Sequence, residues 1–511
     1  MRKKIAAFVF AFVLIATWLC PSVAFAEDEL QWQDFNGKKI GVLTGTPLEA
    51  VGEEFFPDSE LLYFNSYPDC SAALLSGTIA AYLADEPSAK MTHFEQPKIN
   101  YIPERFTENN YAFAFRKNDE ESAALCREFN TFLEGIMSDG TIKEIEDTWF
   151  GTDESKKTVD MSDLTGENGT LTVAPTSTDM PWSFMKDNKN VGYDIDIVTR
   201  FCRENGYALK IMDVDFAGRI PALESGKCDF TTDMNVTPER EEEVLFSNPT
   251  ADGGVVLVTK SEVLGNDGAY KSFTVLDIKD SFEKTFIRED RYKLFFSGVG
   301  ITLLITVLSI VFGTALGFAV YMAVRNGNRV ANAIADLFSW IIQGLPVVVL
   351  LMILYYIIFA RTDMGGVVVS IIAFTLVFGA GVLGMLKSAT GAVDSGQNEA
   401  AYALGYSDRR AFFRIILPQA LPHFLPAYKG EVVALLKATA IVGYIAVQDL
   451  TKMGDIVRGR TYEAFFPLIA VAVIYFILEG ILIFAVSRIE INRDPRRRKK
   501  EKILKGVKAD D

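Results

Sequence analysis

The sequence predicts a mixed fold class, with an α/β region in the first half of the chain and an all-α, membrane-spanning region in the second. In the first half, short apolar strands such as Lys39–Leu43 alternate with segments of helical periodicity such as residues 193–205, which is typical of α/β folds. From Phe295 onward, long apolar runs recur at intervals that fit about five spanning helices of roughly 20 residues each.

Charge is divided in the same way. The chain has 511 residues and a formal net charge of -15, but the acidic excess lies within residues 27–290 and the remainder is basic. An acidic first half and a basic membrane half give no reason to expect a nucleic-acid partner.

The N-terminus resembles an export signal. Residues 1–26 have a basic start, an apolar run over residues 5–19 and the small-residue pattern Ala24-Phe25-Ala26, as cleavable signal peptides do. Two alternatives stay open: an uncleaved anchor helix, although the run is short for a span, and lipid attachment at Cys20, which bulky neighbours disfavour.

Four cysteines would remain after cleavage, in a compartment where disulfides persist: Cys70, Cys126, Cys202 and Cys228. We expect Cys202 to pair with Cys228, because the two are close in sequence within one predicted lobe; the alternative is four buried small hydrophobes. No spacing of His and Cys indicates a metal site, and we expect no cofactor.

The predicted spans cover residues 295–324, 334–360, 366–386, 424–447 and 464–487. Glu431 and Lys437 lie in the fourth, where contact with lipid would be costly, so they should face protein or a water-filled path. With the α/β half outside, Arg325, Arg329 and the basic tail fall on the cytoplasmic side. The predicted location is thus the cytoplasmic membrane, with the tail inside the cell.

The long connection over residues 396–427 carries the most specific motif. It should form a small-faced helix over residues 399–404, a turn at Gly405 and an amphipathic helix over residues 413–417 ended by Pro418. It resembles the EAA coupling loop of the permeases of bacterial ABC importers for polar amino acids. The residues that match are Glu399, Ala400, Ala401, Gly405, Phe413 and Pro418.

That resemblance implies partners. A coupling loop seats in an ABC ATPase, and because the sequence has no Gly-x-x-x-x-Gly-Lys-Ser/Thr phosphate loop, the ATPase should be a separate subunit. Permeases of this type act in pairs, so we expect a permease homodimer embedded in lipid, with two ATPase subunits. The chain itself should be a transporter subunit and not an enzyme.

The exterior half resembles the two-lobed amino-acid-binding proteins of the periplasmic type, but with the lobes in inverted order. Residues 170–260, which include Tyr193-Asp194-Ile195-Asp196, match the first lobe of that family, and residues 38–151 match its second lobe and closing helix. We therefore expect one circularly permuted domain, since permutation is tolerated where termini are close. The competing arrangement, two truncated tandem domains, would leave much apolar surface uncovered.

These predictions divide the chain into seven parts. The expected divisions are a signal peptide (1–26), lobe two with the closing helix (27–151), a linker (152–169), lobe one (170–262), a pre-membrane segment (263–293), the permease domain (294–490) and a basic tail (491–511).

An amino-acid ligand needs a cation for its carboxylate and an anion for its ammonium. The resemblance implies Arg240 for the first, by a two-pronged contact that Lys cannot reproduce, and Asp85 for the second. It also implies Gly45 and Thr46 as donors to the carboxylate, with Trp182 and Phe216 as walls. The alternatives are a surface charge for Arg240, a helix cap for Asp85, and core positions for Trp182 and Phe216.

Asp179 and Asp233 stand where relatives carry an aromatic residue and a Gly or Ser. Two additional acids near the side-chain pocket suggest a cationic substrate, because an unpaired buried carboxylate is costly; solvated positions at the rim explain them as well.

Two other functional classes make different predictions for this sequence. A ligand-gated channel or receptor uses a similar clamshell but predicts a re-entrant pore loop and no coupling loop. An enzyme would need an acid/base cluster in the cleft, and none is evident beyond the ligand-holding pair.

Overall fold

The computed structural model describes residues 31–264, 275–325, 327, 329–461, 463 and 466–493. The expected signal peptide, most of the basic tail and part of the pre-membrane segment lie outside these ranges.

The first half alternates strands and helices, as its sequence pattern predicts. The strands are β1 Lys39–Leu43, β2 Glu60–Phe64, β3 Ala81–Asp85, β4 Ile99–Arg116, β5 Thr170–Ala174, β6 Thr178–Asp179, β7 Ser183–Lys186, β8 Lys189–Val191, β9 Ala208–Ile211, β10 Phe230–Asn235, β11 Val244–Phe246 and β12 Ala251–Lys260. The helices are α1 Leu48–Phe55, α2 Tyr67–Ser76, α3 Glu86–Glu95, α4 Glu120–Ser138, α5 Thr141–Trp149, α6 Tyr193–Glu204, α7 Arg219–Glu224 and α8 Pro238–Glu243.

Two long strands connect the two lobes of this region. The main sheet has the order β2-β1-β3-β12-β4-β10-β5-β9, and β11 pairs with β4. β4 and β12 run antiparallel to each other at its centre. β12 pairs with β3 on one side, while β4 pairs with β10 on the other. Strands from both sequence segments therefore belong to one sheet, and the β4–β12 pair lies where the chain crosses between the lobes.

Each lobe takes residues from both segments. The core of lobe two is built on β1 to β3 and includes Val256 and Leu257 from β12. The core of lobe one is built on β5, β10 and α6, and it includes Phe113 and Phe115 of β4 together with Phe129 of α4. Residues of β4, α4 and α5, which precede the expected boundary at residue 151, therefore pack in the core of lobe one.

The expected Cys202–Cys228 disulfide is wrong. All four cysteines of the described residues are free and buried. Cys202 packs in the core beside Phe201, whereas Cys228 packs in a separate apolar cluster with Val214 and Ala222. They act as small hydrophobic residues, which was the alternative interpretation.

The second half is helical. Its helices are α9 Val275–Phe282, α10 Tyr292–Val324, α11 Arg329–Gly344, α12 Val347–Met352, α13 Gly366–Gly391, α14 Gly396–Ala403, α15 Asp408–Ala411, α16 Leu417–Ala438, α17 Leu450–Thr461 and α18 Phe466–Arg493. In the described residues, α10, α13 and α18 are long and apolar enough to cross a membrane, and counting each bent helix pair as one span gives up to five.

The second expected span is not one straight helix. The chain bends by 105° between α11 and the helical segment 347–358. Pro346 precedes α12; the residue before a proline is disfavoured in helical geometry, so the first helix ends there. Residues 334–360 therefore do not form the one straight span that the sequence predicts.

Candidate functional site

A closed cleft lies between the two lobes. Its lining includes six of the eight ligand residues proposed from the sequence, and Trp182 and Asp179 are not among them. The lining residues are Gly45, Thr46, Asp85, Phe216, Arg219, Ile220, Asp233, Met234, Asn235 and Arg240. The two lobes are in direct contact at this cleft, because a Cβ on Gly45 of lobe two would lie 2.8 Å from Cα of Ala217 of lobe one.

Arg240 reaches across the cleft. It lies on α8, whose start is capped by the Thr237 hydroxyl, which accepts from the Arg240 backbone N–H. Its Nη2 donates to the carbonyl oxygen of Gly45 at 2.9 Å. Within the described residues, no carboxylate lies at ion-pair distance from this guanidinium. Burial and the neighbouring Arg219 lower the pKa of Arg240 to about 10, so the site favours an added anion.

Asp85 faces Arg240 from the other lobe. It ends β3 at the N-cap position of α3, but its side chain accepts no hydrogen bond from that helix. Instead, Tyr111 donates to Oδ1 and Tyr67 donates to Oδ2 at 3.1 Å. Burial raises the pKa of Asp85, and the two tyrosine hydrogen bonds oppose that rise. This carboxylate is buried, hydrogen-bonded only by neutral groups, and oriented into the cleft.

Sequence reasoning missed Arg219. Its Nη1 donates to Oδ1 of Asp233 at 2.6 Å and to the carbonyl oxygen of Thr232 at 2.7 Å, and its guanidinium lies 4.4 Å from the ring centroid of Phe216. Asp233 is therefore a paired acid. The sequence could have indicated Arg219, since it lies three residues after Phe216 within the segment 170–260 that resembles lobe one.

Asp179 lies close to Asp233 and Asp85 but does not line the cleft. Ser88 of lobe two donates to its Oδ1 at 3.0 Å, while its Oδ2 is buried without a hydrogen-bond partner. Burial and the nearby Asp233 and Asp85 raise the pKa of Asp179 well above its ordinary value. This acid is thus buried, not at a solvated rim, and no cation of the described residues forms an ion pair with it.

Two other predicted ligand residues, Thr46 and Trp182, make contacts within the protein instead. The Thr46 hydroxyl donates to the carbonyl oxygen of Leu43 at 2.7 Å, so its proton is engaged within its own turn. Trp182 is fully buried against Tyr111, Phe150 and Tyr193. It is a core residue, as the alternative interpretation had it, whereas Phe216 lines the cleft.

The coupling-loop motif forms a helical elbow. α14 carries Glu399 and Ala400 exposed and Ala401 buried, and Gly405 follows with φ of +79°, which glycine adopts without strain. Arg325, at the end of α10, donates to Asp408 at 2.7 Å and so ties the elbow to the long helices. Three apolar side chains at the tip are 45 to 75% exposed: Tyr402, Leu404 and Phe413. Such a patch is typical of a contact surface.

The expectation that Pro418 ends the second helix is wrong. Pro418 lies in the first turn of α16, which continues to Ala438, and residues 412–416 form a π-helical turn ahead of it. A proline is tolerated in a first turn, and the wider π turn relieves its clash with the carbonyl of Arg414.

Comparison with known proteins covers both halves of the chain. Residues 171–398 match the bacterial extracellular solute-binding proteins, family 3, and residues 315–491 match the binding-protein-dependent transport system inner membrane components. The first range begins within β5 and runs into the helical part, where the two overlap. A Rickettsia bellii protein provisionally named as the glutamine transport system permease GlnP is 34% identical over 198 residues, which are 38% of this chain and 89% of that protein.

The chain belongs to this inner membrane permease family. The arginine transport system permease ArtQ of Bacillus subtilis is 32% identical over 38% of the chain and 89% of ArtQ. The histidine/lysine/arginine/ornithine permease HisM of Escherichia coli K12 is 30% identical over 42% of the chain and 94% of HisM. A solved amino acid ABC transporter with histidines is 28% identical over 43% of the chain and 100% of that structure, with a TM-score of 0.38.

The permease is thus an integral membrane subunit of an ABC transporter with a solute-binding domain in the same chain. It is a transporter component and not an enzyme, and ATP hydrolysis belongs to a separate subunit. The alternative of a ligand-gated channel is set aside, because the coupling elbow falls within the permease match.

Proposed function

We propose that the solute-binding domain captures a free α-amino acid between Arg240 and Asp85 and delivers it to the helical domain for ATP-driven uptake. The observation that carries this proposal is that these two residues line one cleft from opposite lobes. Arg240 has no carboxylate partner in the described residues, and Asp85 has no cationic one. A ligand bearing both a carboxylate and an ammonium would satisfy both and bridge the lobes.

A cationic side chain is the ligand feature that the remaining charges favour. Arg219 pairs with Asp233, and the neighbouring acids Asp179 and Asp194 have buried carboxylate oxygens without a hydrogen-bond partner. An ammonium or guanidinium group on the ligand would offset the penalty of burying these carboxylates. ArtQ and HisM are named for basic amino acids, whereas the Rickettsia relative is named for glutamine. A neutral amino acid is therefore the competing choice.

The arrangement of the chain supports opposite sides of the membrane for capture and coupling. α10 has 33 residues, about 50 Å at 1.5 Å per residue, which exceeds the roughly 30 Å hydrocarbon core. The two lobes of the solute-binding domain, residues 38–151 and 170–260, are together called the clamp. The clamp lies near the start of α10, where Asn188 donates to the carbonyl oxygen of Glu289, and the elbow is tied to the end of α10 by Arg325. We propose the clamp outside and the elbow inside, with two permease copies and two ATPases.

Binding to the full chain in nanodiscs, measured by calorimetry, tests the site. Arg240→Ala and Asp85→Asn should each weaken binding of the preferred amino acid by about 1.5–3 kcal/mol, roughly 10- to 150-fold in Kd, because each removes a charged hydrogen-bond partner.

Arg203→Ala is the matched control, because Arg203 pairs with Asp163 on the outside of lobe one and its removal should leave Kd unchanged. Unchanged affinity in both cleft variants would remove the site assignment.

A further inference from the structure

The helix α17 packs against the clamp. It follows the helical segment Asp408–Ile445 at a bend of 56°. Most of its residues are buried, among them Lys452, Arg458 and Arg460. Three cations would be costly against lipid. Each of them instead finds acids outside the long helices, so α17 lies on the clamp side of the helical domain.

Lys452 contacts lobe one. Its Nζ lies 2.7 Å from Oδ1 of Asp215 and 3.3 Å from Oδ2 of Asp213. The side chains of Lys452 and Asp213 are almost fully buried, at 6% and 1% exposed. Lobe one has a second connection to the helical domain through Lys227, which donates to the carbonyl oxygen of Phe359 at 2.6 Å.

Arg458 contacts lobe two. Its Nη1 lies 2.8 Å from Oδ1 of Asp69, and its Nη2 donates to the carbonyl oxygen of Pro68 at 3.4 Å. Both partners lie at the start of α2. Its other acidic neighbour is Asp455, one turn earlier on α17, at 3.1 Å.

Arg460 joins three further segments. It lies 3.4 Å from Glu95 of lobe two, 3.1 Å from Glu154 of the connection between the lobes and 2.8 Å from Glu289 before α10. One short helix therefore holds lobe one, lobe two and the connection between them.

These contacts exist together only while the cleft is closed. Opening moves the lobes apart, so at least one lobe must leave α17. The ion pair between that lobe and α17 then breaks, and the cation on α17 loses its partner. Both ion-paired contacts of lobe two, with Arg458 and Arg460, lie on α17, whereas lobe one is also anchored away from α17 through Lys227. Lobe two is therefore the one that opening releases.

We propose that α17 is a latch that binds both lobes of the closed clamp, so that docking on the permease and closure around the ligand are one coupled equilibrium. This deepens the proposed function and rests on it for the identity of the ligand, but not for the closure itself. By linkage, a latch that favours the closed clamp raises ligand affinity, and bound ligand strengthens the grip on α17 by the same factor.

The direct test is the distance between the lobes. Spin labels at Ala50→Cys and Glu242→Cys, both exposed positions of opposite lobes, would report it in the full chain in nanodiscs without ligand. Arg458→Met and Asp69→Asn should both shift the distribution towards longer distances. Asp69→Asn protects the test against misfolding, because that side chain is 35% exposed.

Controls separate a latch from a general loss of charge. Lys437→Met removes a cation that pairs only with Glu479 of α18 in the described contacts, and it should leave the distance unchanged. Arg458→Lys keeps the charge and should restore most of the closed population. Unchanged distances in both Arg458→Met and Asp69→Asn would overturn the latch.

Ligand affinity gives the second readout. Arg458→Met should weaken amino-acid binding by roughly tenfold, within the usual range of coupling between sites, without touching the cleft. If Arg240→Ala leaves affinity intact while Arg458→Met still lengthens the lobe distance, the cleft assignment fails and the latch stands. If the reverse holds, the latch fails and the cleft assignment stands.

Discussion

The contact between Gly45 and Ala217 makes the cleft sensitive to a single methyl group. We expect Gly45→Ala to weaken ligand binding by about 1–3 kcal/mol, because the added Cβ meets lobe one only when the clamp closes. Calorimetry on the full chain measures this loss.

Gly77→Ala is the control for backbone strain. Gly77 has nearly the same positive φ, +79° against +80°, but a Cβ there meets nothing within 4 Å. Both substitutions should lower stability by about 1–2 kcal/mol, and only Gly45→Ala should change Kd. An equal effect on affinity would show that strain, not closure, limits binding.

The buried carboxyl of Asp179 should make ligand affinity depend on pH, in a way that differs between cationic and neutral amino acids. Its pKa is raised by burial and by Asp233; below that raised value it is protonated, and it becomes an anion as pH rises. Affinity for a cationic amino acid should therefore increase as pH rises through the raised pKa, and Asp179→Asn should flatten the profile and weaken binding roughly tenfold or more. A neutral amino acid bound with a flat profile in the wild type would contradict the cationic assignment.

At the scale of elements, the elbow depends on its turn. Gly405 has a positive φ, and no neighbouring atom lies within 4 Å of its Cβ position, so the constraint there is the backbone alone. Gly405→Val should abolish uptake with ligand binding intact, because a β-branched residue is strained in this conformation, whereas Gly405→Asn should keep most activity. Equal uptake by both variants would separate the turn from coupling.

The helices also show what local sequence patterns predict and where they stop. Apolar runs predicted the starts of α10, α13 and α18 to within three residues and their ends to within six, because the hydrophobic length of a span is a local property. The bend at Pro346 and the continuous helix through Pro418 differ from expectation. Pro346 follows the end of α11, whereas the helix runs through Pro418 because the π turn at residues 412–416 relieves the clash of the ring with a carbonyl one turn earlier.

At the scale of the whole molecule, the chain needs its ATPase. Proteoliposomes that contain only this chain should not accumulate an amino acid against a gradient, because the energy source lies in another subunit. Radiolabelled uptake, with and without an added ATPase subunit and ATP, measures this. Accumulation by the chain alone would contradict the importer.

The sequence by itself determined the two fold classes and the elbow, and it predicted Arg240 and Asp85, which line the cleft, because strand and helix periodicity, hydrophobic length and short motifs are encoded locally. Only the tertiary structure decided that residues of β4, α4 and α5 pack in the core of lobe one, that Arg219 pairs with Asp233, and that α17 holds both lobes. These facts depend on charges and apolar surfaces far apart in the chain, and burial changes the free energy of each according to the partner that folding brings beside it.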